Sequence, residues 1–500
     1  MRDFAPPLWQ SGAGDIADVE LDPRSRDDIP QLLRGLYYLY VIPAYREEIL
    51  QILDAMLPPE IDRTTGRPGM VLWRILVMGV LRLNLNWDYD RLHEMVNQHR
   101  TIRQMLGHGV EDDGEYYHLQ TLKDNVSLLT PEIVDRINQV VVKAGHQLEK
   151  KKGQAVPEAR EETGEEEGLR GRCDSFVVET DVHYPTDITL LWDALRKLII
   201  GCGRVSHRKG LRGWGKYRYN LRQVKRLLRQ VQQLKASTSS EEKKRASQEK
   251  KLRHAYRKYL QVASSLVGRA EETLRQRADD EETTVERDEI ECFVGHAHRQ
   301  IDQIDRRVLQ GEKIPHAEKV FSLFEPHTEW ISKGKAGVPV ELGVNTCIIE
   351  DQYGYILHHR VMQGETDAAV AVPLVKETQA RFPALKQCSF DEGFYTPANQ
   401  ADLRTLLDVS VLPQKGRLSP EEEAFESSEV FTTARRRHAA VESAINALEV
   451  HGLDRCPDHG IDGFQRYVAL AVLARNIQHL GARLTHKKVR IATRRRKKAA

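Results

Sequence analysis

The stretch CSFDEGFYTPANQ, Cys388 to Gln400, runs from a short apolar segment straight onto Asp391 and Glu392, with no Lys or Arg beside them. Burying an unpaired carboxylate is costly, and a divalent cation is a common means of neutralising one. Two further acids occupy comparable settings. Asp174 stands near the start of RCDSFVVETDVHYPTD, where Phe176, Val177 and Val178 favour extended chain. Glu442 lies in RRRHAAVESAINALEVHGLDR, where Val441, Ile445, Leu448 and Gly452 recur at helical spacing and form a stripe suited to packing on a sheet. Glu442 borders that stripe. Converging carboxylates of this kind suit Mg²⁺, which takes one or two of them together with water and phosphate oxygens. Two such ions about 4 Å apart activate a nucleophile and steady the leaving oxygen in phosphodiester displacement. The residues alone do not single out these acids from 73 Asp and Glu. Asp391 equally suits a helix N-cap or a surface turn, Glu442 a solvent-facing helix position, and Asp174 an exposed strand start. Asp181 is a rival to Asp174. It lies seven positions later, so in a regular strand it faces the other way.

Positioning such acids requires a sheet and a late helix, and the pattern along the chain supplies both. After the strand at Asp174, GVPVELGVNTCIIEDQYGYILHHRVMQG reads as a β-hairpin with its turn at DQYG. A helix follows over about 366–381, then the strand ending at Asp391, a helix over 397–407 and the short strand of VSVLPQK. Helices over 434–450 and 463–480 close the series. An antiparallel hairpin followed by βαβ units predicts a mixed sheet covered by helices. That is the RNase H-like order once residues 204–315 are looped out.

The intervening segment is set apart by charge. Residues 204–258 contain nineteen Lys or Arg and three Glu or Asp, and the sign reverses over 271–291. Within it, Leu221, Val224, Leu227, Leu228, Val231 and Leu234 form one apolar helical face opposite a basic one. The segment reads as an inserted helical hairpin or bundle, with a coiled coil bearing solvated charges as the plainer alternative. A one-sided basic helix also suits backbone phosphates. HAH at 296–298 has no partner motif and reads as surface.

Upstream, residues 1–60 are mixed and say little, the pattern is helical from about residue 66, and 1–150 is taken as one helical domain. The most apolar run, Met70 to Leu85, includes Arg74 and Arg82 and is shorter than the roughly 20 residues of a membrane span, so a buried helix is expected. Asp88 is a candidate N-cap, and further helices are expected over 118–129 and 131–149. Short helices with Arg and His between them suit a DNA-binding module, and equally a bundle without a ligand. EAREETGEEE, 158–167, reads as an acidic linker and a domain boundary. Residues 483–500, which include THKKVRIATRRRKKAA, are expected to be a disordered basic tail. The net charge of +2 hides these asymmetries. The six cysteines are scattered without a C-x-x-C, which argues against a zinc site or disulfide framework and for a reducing, cytosolic setting. MRDFAPPLWQ lacks the apolar core of a signal peptide.

Several stretches resemble insertion-sequence transposases of the DDE type (ISNCY-type or a close relative), whose catalytic domain is RNase H-like. They are CDSFVVETDVHYPTDITLLWDALRKL, FSLFEPHTEWISKGKAGVPVELG, FDEGFYTPANQ, RRRHAAVESAINALEVHGLDR and GFQRYVALAVLARNIQHLGARL, with 66–107 similar to the family's helical DNA-binding region. The resemblance implies an α/β RNase H-like domain over 169–203 and 316–482, the helical insertion between them, and an all-α DNA-binding domain before the linker 151–168. It implies that Asp174, Asp391 and Glu442 hold Mg²⁺ or Mn²⁺ for DNA strand cleavage and strand transfer. Phe176 departs from the family's usual Thr. Similar transposases tend to have Asn at the position of Asp181. Gly393 would allow a tight turn, and Glu392 would face solvent. Arg435 and His438 stand where some related groups have Tyr-x-x-Arg, and they receive no role. Lys333, Lys335, Lys216, Arg218, Arg222 and Arg226 are candidate phosphate contacts. The expected partners are DNA, both element ends and target, and a second copy of the chain in the active complex, in the cytoplasm at the nucleoid of a prokaryote and without a membrane. The competing readings are a non-catalytic DNA-binding remnant of a transposase and an RNase H-like nuclease that cuts without joining.

Overall fold

The computed structural model describes residues 14–56 (except 23 and 26), 69–109, 115–153, 168–210, 213–236, 242–276, 284–332 and 339–499. The chain forms two compact units, one of Met1–Asp181 with Ile331–Ala500, the other of Val182–Trp330.

The first unit begins with seven helices: α1 (Asp28–Val41), α2 (Pro43–Asp54), α3 (Leu72–Asn84), α4 (Tyr89–Gln98), α5 (Arg100–Met105), α6 (Leu119–Val126) and α7 (Pro131–Gly153). Every residue of α3 is buried, in keeping with its apolar sequence. Its two arginines survive burial because each guanidinium is paired with an acid. Arg74 donates to Leu106 O and Glu115, while Arg82 meets Asp458 at 2.6 Å and lies over the Tyr89 ring at 4.1 Å. Asp88 caps α4 by accepting from Arg91 N, as its position in the sequence suggests. Among the described residues no helix is long and apolar enough to cross a membrane.

Strand β1 (Leu169–Thr180) follows, and after it the second unit. Here α8 (Asp187–Lys209), α9 (Tyr217–Ala236), α10 (Glu242–Arg275) and α11 (Thr284–Ile304) share an apolar core that includes Leu191, Leu195, Leu198, Val224, Tyr259 and Phe293. This unit is longer at both ends than the 204–315 expected from charge. The reason lies in α8, whose apolar face belongs to the helical core, whereas the basic composition starts only at its end.

The chain returns through β2 (Glu329–Ser332), β3 (Val340–Asp351), β4 (Ile356–Met362), α12 (Asp367–Arg381), β5 (Leu385–Phe390), α13 (Pro397–Leu406), β6 (Val409–Val411), α14 (Pro420–Glu426), α15 (Glu429–His438), α16 (Ala440–Leu448), β7 (Arg455–Cys456) and α17 (Gly460–Ala499). The sheet has seven strands in the order β2-β3-β1-β5-β6, with β4 also on β3 and β7 on β1. Strands β1 and β3, and β3 and β4, are antiparallel; β1–β5 and β5–β6 are parallel. The architecture is therefore α/β, a mixed open sheet with many helices. The hairpin turns where DQYG predicts it, with Asp351 Oδ1 accepting from Tyr353 N and Tyr355 N.

Three features differ from the sequence expectations. The N-terminal helices form no separate domain: Leu36, Trp73, Ile75 and Val141 belong to the same apolar cluster as Val178 and Ile349 of the sheet and Leu473 of α17. Helices α1 and α17 cross so closely that a Cβ on Gly481 would stand 1.9 Å from Gln31 O. The expected helix over 434–450 is broken at Ala439 into α15 and α16. The segment 483–499, expected to be disordered, continues α17. The acidic linker 158–167 lies outside the described residues.

Candidate active site

The parallel register of β1 and β5 pairs Arg172 with Ser389 and Cys173 with Phe390. The next residue of each strand is an acid, so Asp174 and Asp391 come side by side where β5 stops. Side chains alternate along a strand, which puts Arg172, Asp174, Ser389 and Asp391 on one face and Cys173, Cys388 and Phe390, all buried, on the other.

Asp391 precedes a single helical turn, Glu392–Phe394, at the N-cap position, yet its side chain makes no capping hydrogen bond. The alternative of a capping role is thereby removed, and the carboxylate is exposed and uncommitted by the turn. Glu392 is exposed, as expected. Gly393 is not at positive φ, so the tight turn is not what it provides. A Cβ there would stand 3.1 Å from Asp367 Oδ2, so Gly393 gives room to a carboxylate.

Helix α16 buries Val441, Ala444, Ile445 and Leu448 and leaves Glu442 exposed in its first turn. The break at Ala439 gives α16 its own N-terminus, where an acid is stabilised by the unpaired amides.

The electrostatics show which acids share a neighbourhood. The Asp174 carboxyl, half-buried, is pushed up to about 6, first by burial and then by the negative charges of Asp391, Asp367 and Glu442; the Ser175 amide, donating to Oδ1 at 2.7 Å, opposes this. The structure thus sets Asp391 beside Asp174 through the β1–β5 register, and the charges of Asp367 and Glu442 are felt at the same carboxyl. It leaves Asp181 out. That side chain is exposed and faces Arg455 at 3.7 Å.

Three residues to which the sequence pattern gives no part belong to the same surroundings. Asp367 is the first residue of α12, after the N-cap Thr366. Its Oδ1 is buried without a hydrogen-bond partner. His438, at the end of α15, meets Ser389 Oγ through Nδ1 at 3.0 Å. Burial lowers its proton affinity, Arg172 adds to that, and Asp391 and Glu442 work against it. Arg172 donates to Glu350 Oε2 at 2.6 Å and to Asp351 O at 2.5 Å, while its buried Nε has no partner. The spacing of His438 and Glu442, four apart, could have flagged the histidine. Nothing local flags Asp367, which reaches the site only through packing of α12.

No family model, no curated protein and no solved structure matches this chain.

The donor chemistry fits a hard cation. The side chains around Asp174 include carboxylates and no thiolate, and one buried carboxylate oxygen of Asp367 lacks a partner. Among the described residues no group of three or more His, Cys, Asp or Glu is already set in metal-holding geometry.

The basic candidates fall in two groups. Lys216 precedes α9, and Arg218, Arg222 and Arg226 lie on it; all four are exposed, opposite the buried Val224, Leu227, Leu228 and Val231. Lys333 and Lys335 lie outside the described residues. His298 pairs with Glu271 at 2.7 Å on the surface of the helical unit.

Proposed function

We propose that this chain is a DNA transposase of the DDE type, cutting and joining phosphodiester bonds at a site formed by Asp174, Asp391 and Glu442. The observation that carries the reading is the parallel register that sets Asp391 beside Asp174, with the charges of Asp367 and Glu442 also felt at that carboxyl. A carboxyl held at about 6 by burial and neighbouring negative charge is one that a cation would relieve. The strand order, with an antiparallel hairpin beside β1 and parallel β5 and β6 on its other side, supports an RNase H-like domain.

Asp174, Asp391 and Glu442 would hold Mg²⁺ or Mn²⁺, which supplies charge neutralisation and an activated water for phosphodiester displacement. The protein's own part is to bring the scissile phosphate and the attacking oxygen into line at the end of β5. Water attacks the phosphorus, the P–O3′ bond breaks, and a 3′-hydroxyl and a 5′-phosphate remain. The 3′-hydroxyl then attacks a target phosphodiester at the same site, joining one strand and releasing another 3′-hydroxyl. No covalent enzyme intermediate is required. Lys216, Arg218, Arg222 and Arg226 would bind backbone phosphates, and two copies of the chain would handle two DNA ends.

The test is nicking of a supercoiled plasmid in Mg²⁺, followed by a strand-transfer assay with a pre-cut end. Native chain active in both and Asp391→Ala inactive in both is the expected result. Nicking without transfer would assign a nuclease, and DNA binding without nicking a non-catalytic remnant.

A further inference from the structure

The helical unit has a recess of its own, built where its chain begins and ends. Tyr184–Asp187, leading into α8, and Phe321 and Trp330, the latter on β2, contribute to its wall, together with Lys235, Gln303, Arg307, His316 and Lys319. It encloses about 370 Å³, within the roughly 300–1,000 Å³ of ligand-sized recesses.

The lining combines two chemistries. Tyr184 and Trp330 have ring centroids 5.7 Å apart, Phe321 and Trp330 5.6 Å, and His316 and Phe321 5.3 Å, a run of rings in mutual contact. Tyr184 is nonetheless 62% exposed, so one large flat face is left to solvent. Around the rings stand three cations. Arg307 is taken up by Asp187 at 2.6 Å, which also neutralises that acid of the lining. Lys235 and Lys319 are exposed, and among the described residues neither has an acidic partner.

Such a lining suits a ligand that is flat and aromatic at one end and anionic at the other. An apolar ligand would not call for uncompensated lysines, and a small anion would not call for rings. A nucleotide of an unpaired strand presents both parts, since every base has a π-face free once it leaves the stack. We infer that the recess takes an unpaired nucleotide of a DNA strand, its base against Tyr184 and Trp330 and its phosphate against Lys235 and Lys319. The choice of DNA as the polymer rests on the proposed function; the class of ligand rests on the lining.

The test uses the full chain in EDTA, so that no strand is cut. Fluorescence anisotropy is read with three labelled probes: single-stranded oligothymidine, an abasic strand of the same length, and a blunt duplex. The native chain is expected to bind oligothymidine more tightly than the abasic strand. Tyr184→Ala should weaken oligothymidine binding about 5-fold or more and leave the abasic strand and the duplex unchanged. Its ring is mostly in water, so the fold should survive, and circular dichroism checks this. Trp330→Phe should retain binding, and Lys235→Gln with Lys319→Gln should weaken both single strands alike. Equal binding of oligothymidine and the abasic strand by native chain, or native affinity in Tyr184→Ala, overturns the inference. Metal-dependent nicking by native chain against Asp391→Ala is scored separately, so failure of either proposal leaves the other standing or falling on its own data.

Discussion

The sheet unit and the helical unit use charge in opposite ways. Around β1 and β5, burial, and then the charges of acids from remote parts of the sequence, raise the proton affinity of Asp174. On α9, cations four residues apart lie along one exposed face and need nothing beyond the helix itself to align them. The first arrangement stores unfavourable charge that a proton or a bound cation relieves. The second spreads its charge into water, at little cost, and acts by its sum. One is therefore expected to be sensitive to single substitutions and the other to respond only to several.

The largest effect should come from breaking the acid cluster. Asp391→Ala and Glu442→Gln should each lower metal-dependent nicking by on the order of a thousandfold or more, given the several kcal/mol a cation contributes to such a transition state. Both side chains are exposed, so thermal melting should be nearly unchanged. Asp181→Asn, in the same assay, should cut as native chain does; loss of cutting would transfer the first acid from Asp174 to Asp181.

Next in size is Asp367. If its orphaned oxygen completes the cation environment, Asp367→Asn should weaken Mn²⁺ binding, read by electron paramagnetic resonance, by roughly 10–100-fold. Native affinity in that variant would reduce Asp367 to a helix N-terminal acid. The basic helix comes third. Changing Lys216, Arg218, Arg222 and Arg226 together to Gln should flatten the slope of log affinity for duplex DNA against log salt by about 0.9 for each phosphate no longer neutralised. Any one change alone should be hard to detect, and an unchanged slope would return α9 to a solvated helical face.

The smallest effect concerns stability and pH. The folded state raises the Asp174 pKa from its ordinary value to about 6, so the folded chain binds that proton more tightly than the unfolded chain does. Stability from this group is fully present below about pH 4 and is lost as pH rises through about 6. In metal-free buffer, Asp174→Asn should therefore stabilise the protein at pH 8 by on the order of 1–2 kcal/mol, discounted for partial exposure, and by much less near pH 4. Denaturant titrations at the two pH values check the sign.

What the sequence made legible follows the range of the interactions. The apolar period of α9, the capping Asp88, the hairpin turn at Asp351 and the stripe on α16 are local features, and they appear where the residues place them. The insertion is visible through charge but not in its full extent, because α8 is apolar on one face like any core helix and its loyalty to the helical core is a matter of packing, not composition. The N-terminal helices look separable because a run of acids follows them, yet their apolar surfaces are buried against the sheet and α17.

The same division holds for the candidate site. The sequence by itself determined that Asp391 follows the end of a strand and that Glu442 borders a buried helical stripe, since each depends only on the period of the backbone. Only the tertiary structure decided that Asp174 and Asp391 are neighbours, through the parallel register of β1 and β5. It alone brought in Asp367 and His438, carried there by packing of α12 and α15. Register and helix docking are set by residues far apart along the chain, and no local pattern encodes them.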